Sequence, residues 1–465
     1  RVKRISLCMI VRDEEQFLPD CLASVRGLVD EIVVVDTGST DRTMEIASAA
    51  GAIVVSHEWR EDFSEARNVA LDISTGDWVL SLDADERLST PSRDIIREAV
   101  ERPTAPCGLI RMVHATRVDA TIEEVLDGTA LFQEPVWLAR LFMSTPDLRW
   151  HGRVHEHVNP WLEARGGVAM VLDADIVHLG AVPSVREDFG KDERNLRLLK
   201  LEVESNPDSW SARSCLAESL HMIEGIETAR DHAEIAWKQV REEVLPQLDS
   251  VPGGVVKALT SYVCILISDG RWDAGLGEIR AARRLGVAHP NLDYLEGLAR
   301  ENLALREPRE RNNHLVRARR AYEQALTYTG KPVTDSVLSG ATTWRSRYRM
   351  GMVSLQQNDH QLAERILKEA ALMAPDSEEI VMAIAEALIG LDRPTEALRC
   401  LEALLGEEQG AADPWLLAAD AHRQLGHAQM FEVCLNHAYE RVRASLLGLH
   451  RLERLNSLLK WAAAS

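Results

Sequence analysis

EIVVVDTGSTD (Glu31–Asp41) and WVLSLDADE (Trp78–Glu86) are two strand-like runs that end in acid: Asp36 closes the first, Asp83 and Asp85 the second. In a parallel sheet, ligands bind at the carboxyl ends of the strands, so these ends nominate one shared crevice. Such a crevice could hold a nucleotide and a metal.

Outward from these runs, strands and helices alternate. ISLCMIV (Ile5–Val11) reads as a buried strand, Phe17, Leu18, Cys21, Leu22 and Val25 recur at helical spacing, and EIVVV follows as a second strand. TDRTMEIASAAGA fits a helix closed by Gly51 as a left-handed C-cap, followed by strand AIVVS, helix EARNVALDIS and strand WVLSL. This order predicts a mostly parallel, three-layer α/β sheet. From about Pro103 to His178 the pattern loosens into the strand-like pieces GLIRMVH, WLARLFM and ADIVHL, with irregular loops between them.

After about Val185 the chain becomes nearly continuous amphipathic helix. Gly351, Ala385 and Ala419 are spaced by 34 residues, as are Leu367, Leu401 and Leu435. Small residues facing large ones on the next helix are how paired helices stack into a solenoid. GLDRPTEAL and QLGHAQMF supply the short turns within pairs. These units resemble tetratricopeptide-type repeats, regular in the last three and weaker in the earlier SWSARSCLAESLHMIEGIETARDHAEIAW and ALTSYVCILISDGRWDAGLGEIRAA. A plain helical bundle is the bland alternative. Two domains are expected, residues 1–185 and 186–465.

A length of 465 residues with 46% apolar composition can fill more than one core. The net charge of -20 repels phosphate backbones and anionic membrane surfaces, which argues against a nucleic-acid partner. The seven cysteines contain no CxxC pair, so neither a zinc site nor a disulfide framework is expected. No run approaches the ~20 apolar residues of a membrane span, and RVKRISLCMIVRDEE turns acidic too soon for a signal peptide. The expectation is a cytoplasmic protein.

Asp83-Ala-Asp85 emerges at the end of an apolar strand, and carboxylates at i and i+2 can share one side of an extended segment. That suits a hard divalent cation that also takes phosphate oxygens. Taken alone the triplet reads mostly as solvated loop acids; its position after a buried strand, with a second acid-tipped strand upstream, favours the metal. Asp36 leads into a tight turn, Thr37-Gly38-Ser39-Thr40-Asp41, where a carboxylate can accept from the N–H of a uracil base and Gly38 permits close approach. The alternative is an ordinary turn with Ser39 or Thr40 as helix N-cap. No GxGxxG follows either strand, which disfavours a dinucleotide fold.

ISLCMIVRDEE, VDEIVVVDTGSTDRT, EDFSEARN and GDWVLSLDADE together resemble, in order and spacing, the nucleotide-sugar domain of family 2 glycosyltransferases of the GT-A fold. The resemblance is strong over about residues 4–90 and looser to His178. With the helical repeats, the chain is similar to bacterial family 2 enzymes with tetratricopeptide-like tails, a group that includes peptide S-glycosyltransferases of the sublancin type. The implied fold is an α/β GT-A nucleotide-sugar domain followed by an all-α repeat domain.

The resemblance also implies roles. Val11, Asp13 and Glu14 match the nucleoside-edge segment, Asp36 the uracil-binding acid and Arg67 an arginine near base or diphosphate. An N-cap at Asp62, with Glu65 three residues on, would fix Arg67 in the first turn of its helix. Asp83 and Asp85 match the metal motif, with Asp85 the direct ligand and Asp83 reaching ribose or metal. Thr37 departs from the pattern, since many members carry a second acid there. The family often completes its metal site with a histidine near the domain end, which His178 fits, with His155 as the alternative. Glu156, in RWHGRVHEHV, is the candidate base for inverting transfer. Trp59, Trp137, Trp150 and Trp161 read as core residues rather than sugar platforms. VDATIEEVLDGTALFQEPVW sits where members carry acceptor-facing loops and reads as a lid.

The leading expectation is an inverting glycosyltransferase using a UDP-sugar (hexose or N-acetylhexosamine) with Mg²⁺ or Mn²⁺ and a peptide, protein or glycan acceptor. The competing one is a scaffold whose repeats bind a partner while the α/β domain is catalytically silent. Pairing of two chains into a homodimer through the repeats is compatible with either.

Overall fold

The computed structural model describes residues 2–180, 182, 190–247, 253–333, 338–406 and 411–444. The change of character near Val185 lies outside the described residues. By its contacts the chain divides into two compact units, Arg1–His289 with Gly330–Val337, and Pro290–Thr329 with Leu338–Ser465.

The first unit is built on strands β1 (Ile5–Val11), β2 (Glu31–Asp36), β3 (Ile53–Ser56), β4 (Trp78–Ser81), β5 (Glu86–Leu88), β6 (Cys107–Ala115), β7 (Leu131–Met143) and β8 (Ala169–His178). They form one eight-stranded sheet in the order β3-β2-β1-β4-β7-β6-β8-β5. β1 pairs in parallel with both β2 and β4. The chain therefore reverses its direction of winding between β1 and β4, the place where an open α/β sheet leaves a crevice at its carboxyl ends. The remainder is more mixed than a mostly parallel sheet: β7 runs antiparallel to β4 and β6, and β5 antiparallel to β8. β5 has no counterpart in the sequence reading, because three residues are too few to show a period.

Helices α1 (Leu18–Ser24), α2 (Thr43–Ala49), α3 (Phe63–Ile73), α4 (Thr90–Glu101), α5 (Ile122–Leu126) and α6 (Asn159–Glu163) connect the strands. Alternation along β1 makes the layers. Ile5, Leu7, Met9 and Val11 enter a core with Leu18, Cys21 and Leu22 of α1 and Ile96 and Val100 of α4. Cys8 enters the opposite one with Ala66 and Ala70 of α3. Trp150 and Trp161 belong to that second core and pack edge-on against Phe142, at 5.3 and 6.2 Å between ring centroids. The stretch read as a lid holds α5, closed by a Thr121–Glu124 capping box, and then enters β7.

Helices α7 (Lys191–Ser205), α8 (Trp210–Ile223), α9 (Ile226–Gln239), α10 (Gly253–Ser268) and α11 (Trp272–Arg284) complete the first unit. The second consists of α12 (Pro290–Arg306), α13 (Arg311–Leu326), α14 (Trp344–Gln356), α15 (His360–Ala371), α16 (Glu378–Gly390), α17 (Pro394–Leu405), α18 (Asp413–Gln424) and α19 (Ala428–Ala444). No helix among the described residues is long and apolar enough to cross a membrane. All seven cysteines are free.

The 34-residue period is written into the backbone. Asn358, Asp392 and Gly426 have positive φ, at 58°, 58° and 71°. Each is followed by a residue whose N–H reaches back to the preceding helix: Asp359 to Ser354 O (2.9 Å), Arg393 to Leu388 O (2.9 Å) and His427 to His422 O (3.0 Å). This is the Schellman closure, at the position where Gly, Asn and Asp are the residues best able to turn left-handed. The packing expectation is also met, since a Cβ on Gly351 would lie 2.5 Å from Leu367 Cγ and Cδ2. Gly351→Val should therefore destabilise the protein by roughly 1–3 kcal/mol in urea denaturation, and adding Leu367→Ala should cost less in that background than alone. Additive losses would show that the two positions do not share the space.

Candidate active site

The first turns after β1 and β2 are tied together. The Asp36 carboxylate is buried and accepts from the N–H groups of Gly38 (3.0 Å) and Ser39 (3.1 Å). Asp13 donates its N–H to Ser39 Oγ at 2.9 Å, and its carboxylate accepts from Thr40 N–H at 2.7 Å. Both the N–H and the hydroxyl of Thr37 donate to Val11 O, at 3.0 and 3.1 Å. Glu14 N–H donates to Thr43 Oγ1 at 2.7 Å. Val11, Asp13, Glu14 and Asp36 thus share one corner, and Asp36 also shapes the turn that holds Gly38 at φ 110°. Neither Ser39 nor Thr40 caps α2; Asp41 accepts the Thr43 N–H instead, at 2.9 Å.

Arg67 is the hub of the second group. Asp62 caps α3 by accepting from Glu65 N–H at 3.0 Å, as read from the sequence. The helix begins at Phe63, which places Arg67 in its second turn rather than its first. The buried guanidinium donates from Nε to Glu156 Oε1 (2.5 Å), from Nη2 to Asp83 Oδ1 (2.8 Å) and from Nη1 to Ser81 Oγ (3.3 Å), and lies over Trp150. Arg140 of β7 donates to Asp83 Oδ2 at 3.3 Å and to Glu86. Burial works against the Asp83 carboxylate, but the Arg67 and Arg140 guanidinium groups hold it well below the usual range. Glu86 shifts the other way, raised by burial and by Asp83 more than Arg140 lowers it.

Asp85 has different company. His178 Nε2 and Lys191 Nζ each lie 3.5 Å from its Oδ2. The juxtaposition follows from β5, whose pairing sets Glu86 opposite His178 and whose N-terminal neighbour Asp85 accepts the Leu179 N–H at its backbone carbonyl at 2.9 Å. Burial opposes ionisation of Asp85, yet His178 and Lys191 draw its carboxyl below the usual value. Burial likewise opposes charge on His178, and Asp85 overcomes it to raise the imidazole. His114 Nδ1 sits 2.8 Å from His178 Nδ1, and burial lowers His114 to about 4. Gly180 leaves room for this pair, since a Cβ there would collide with Asp85 Oδ2 and lie 2.8 Å from His178 Nε2.

His178 and not His155 is brought to the acids. His155 sits on a left-handed corner at φ 55°, with burial lowering its pKa and Lys257 of α10 and Glu218 of α8 among its charged surroundings. Among the described residues no three His, Cys, Asp or Glu side chains are grouped closely enough to hold a metal by themselves. Asp85 and His178 offer an oxygen and a nitrogen donor, a set that suits Mg²⁺ or Mn²⁺ only if other oxygens complete the shell. Ser81, Glu86, His114, Arg140, Gly180 and Lys191 were missed by sequence reasoning. Arg140 left one signal, a charge inside the apolar alternation of WLARLFM.

Acids and an arginine hub at the carboxyl ends of the strands, with an Asp–His pair between β5 and β8, mark a candidate site in an α/β domain, and helix-pair repeats follow it in the chain. Residues 6–113 match the Glycosyl transferase family 2 family, and residues 354–429 match a tetratricopeptide repeat. A TPR repeat-containing protein of Synechococcus elongatus is 43% identical over 161 residues, 35% of this chain and 37% of that protein. The SPbeta prophage-derived glycosyltransferase SunS of Bacillus subtilis is 24% identical over 232 residues, 49% of this chain and 52% of that one. Among solved structures, glucosyl-3-phosphoglycerate synthase from Mycobacterium tuberculosis, in complex with Mn²⁺, UDP and glucosyl-3-phosphoglycerate, aligns at 29% identity and a TM-score of 0.20 over 24% of this chain and 44% of that one. The chain spans about half the length, or less, of the curated relatives it matches. Residues 6–113 thus carry a segment like that of family 2 glycosyltransferases, and residues 354–429 a tetratricopeptide repeat.

Glu14 gives this corner a pH signature. Burial, reinforced by Asp85, Asp83 and Asp41 and opposed by Lys191, pushes it up to about 8. A carboxyl raised above its unfolded value contributes stability below the unfolded pKa and loses it as pH rises through the folded one. Glu14→Gln should therefore match the parent protein in urea denaturation near pH 4.5 and exceed it at pH 9, by about 1–3 kcal/mol. An equal difference at both values would remove Glu14 as the titrating group.

Proposed function

We propose that the chain is an inverting, metal-dependent glycosyltransferase that moves a hexose or N-acetylhexosamine from a UDP-sugar to a peptide, protein or glycan acceptor. The observation that carries this reading is the Asp85–His178 pair, set between β5 and β8 beside the arginine-held Asp83. Asp85 and His178 would hold a divalent cation, and Gly180 lets the two side chains lie close together because it carries no Cβ. A bound Mg²⁺ or Mn²⁺ supplies charge neutralisation for a departing diphosphate.

The chain's own residues divide the remaining work. Val11, Asp13, Glu14 and Asp36 bind the nucleoside edge, with the Asp36 carboxylate oriented by the Gly38 and Ser39 N–H groups. Arg67 orients Asp83 toward the ribose and Glu156 toward the acceptor. Glu156 takes the acceptor's proton as the acceptor heteroatom forms its bond to the anomeric carbon; the bond from that carbon to the diphosphate oxygen breaks, and UDP leaves with the electron pair. The repeats present the acceptor or pair two chains.

Calorimetry with UDP and Mn²⁺ should show binding to the parent protein and none that depends on metal in Asp85→Ala. Unchanged UDP binding in that variant would remove the metal role, and no binding to the parent would favour a silent domain on a repeat scaffold. Glu156→Gln should keep UDP binding and lower transfer about 10²–10⁴-fold, measured by mass spectrometry with a panel of UDP-sugars. A fully active Glu156→Gln enzyme would remove it as the base.

A further inference from the structure

Lys191 comes from the first turn of α7, outside the strands and turns that build the rest of the crevice. Its placement is fixed by the helix that carries it. Arg194 lies over the Phe63 ring at 5.1 Å, Arg197 pairs with Glu61, and Glu202 accepts from Arg153 N–H at 3.1 Å. Lys191 Nζ and His178 Nε2 converge on the same oxygen, Oδ2 of Asp85, each at 3.5 Å. A divalent cation takes such an oxygen at roughly 2.1 Å, which would set it within a few ångströms of the ammonium. Like charges that close, in a partly buried site, repel by far more than thermal energy.

We propose that Lys191 and the divalent cation are competing occupants of Asp85, so that the cation is admitted together with a nucleoside diphosphate and not before it. Lys191 neutralises Asp85 while the donor is absent. The diphosphate brings negative charge that draws the ammonium off the carboxylate, and Lys191 then serves the phosphate oxygens. By reciprocity the diphosphate must raise the protein's affinity for the cation, and the cation its affinity for the diphosphate, through the same residue.

This inference rests on the assignment of Asp85 to the metal, and its test separates the two. Free Mn²⁺ would be counted by electron paramagnetic resonance in titrations of the full chain, with and without UDP. The parent protein should bind Mn²⁺ weakly alone and about tenfold or more tightly with UDP. Lys191→Gln should bind Mn²⁺ alone about tenfold more tightly than the parent, with a smaller gain from UDP. Lys191→Arg, which keeps the charge, should behave as the parent. An unchanged or weaker affinity for Mn²⁺ alone in Lys191→Gln overturns the competition, as does equal tightening in Lys191→Arg. Failure of the parent to take up Mn²⁺ even with UDP would instead overturn the metal assignment itself.

Discussion

The buried Arg67 guanidinium is the interaction on which the crevice depends. It joins three segments distant in sequence: α3, the end of β4 through Ser81 and Asp83, and the 151–157 corner through Glu156. Desolvating a guanidinium costs several kcal/mol, and two carboxylates are needed to offset it. The converse holds for Glu156, whose side chain is only 12% exposed and is tolerable there because the arginine is present, while Asp83 is more open. Each member is thus held in place by the others, and that mutual requirement fixes where the ends of β4 and of the corner lie relative to α3.

The same logic separates two acids that the sequence presents as equivalents. Asp83 faces two guanidinium groups, from Arg67 and Arg140, whereas Asp85 faces an imidazole and an ammonium. A guanidinium keeps its charge at any accessible pH and holds carboxylates in a planar, two-donor grip. Histidine can lose its proton, and lysine swings a point charge on a flexible stem. Asp83 is therefore permanently countered, and Asp85 is the carboxylate whose partners can be exchanged for something else. Gly180 adds to the distinction, because Asp85 and His178 can lie against its backbone only where there is no Cβ.

What was legible in the sequence is what local periodicity encodes. Buried parallel strands announce themselves as β-branched runs, the acids at their ends as a break in those runs, and the repeats as a recurrence of small and large residues. The Asp62 cap also rests on a short-range signal, whereas the pairing of Arg67 with Asp83 and Glu156 was not read from the sequence. Glu86, Arg140, His114 and Lys191 were not legible, because their roles follow from strand order. Arg140 reaches Asp83 because β7 lies against β4, and His114 reaches His178 because β6 runs beside β8 in register. Strands that lie side by side in the order β7-β6-β8-β5 beyond β4 give no sequence signal of which side chains will meet. Asp36 shows the opposite limit, since the residue type was read correctly as an acid on a turn while the two N–H groups it accepts from belong to that turn itself.

Composition and contacts also divide the chain differently, for a reason that bears on how it works. Helical character begins after about Val185, whereas the first compact unit continues to His289. α7 explains the overlap: Lys191, Arg194, Arg197 and Glu202 on this one helix meet Asp85, Phe63, Glu61 and Arg153. In the repeats of the second unit, turns such as Asn358–Asp359 and Asp392–Arg393 close on the helix just before them, while Gln424 donating to Ile389 O and Arg393 pairing with Glu364 tie neighbouring repeats together beyond their packing. α7 uses its polar face on the sheet domain instead. A helix built from repeat-like residues thereby becomes part of the crevice wall, and the acid that sequence alone assigns to a metal is set opposite a lysine from that helix.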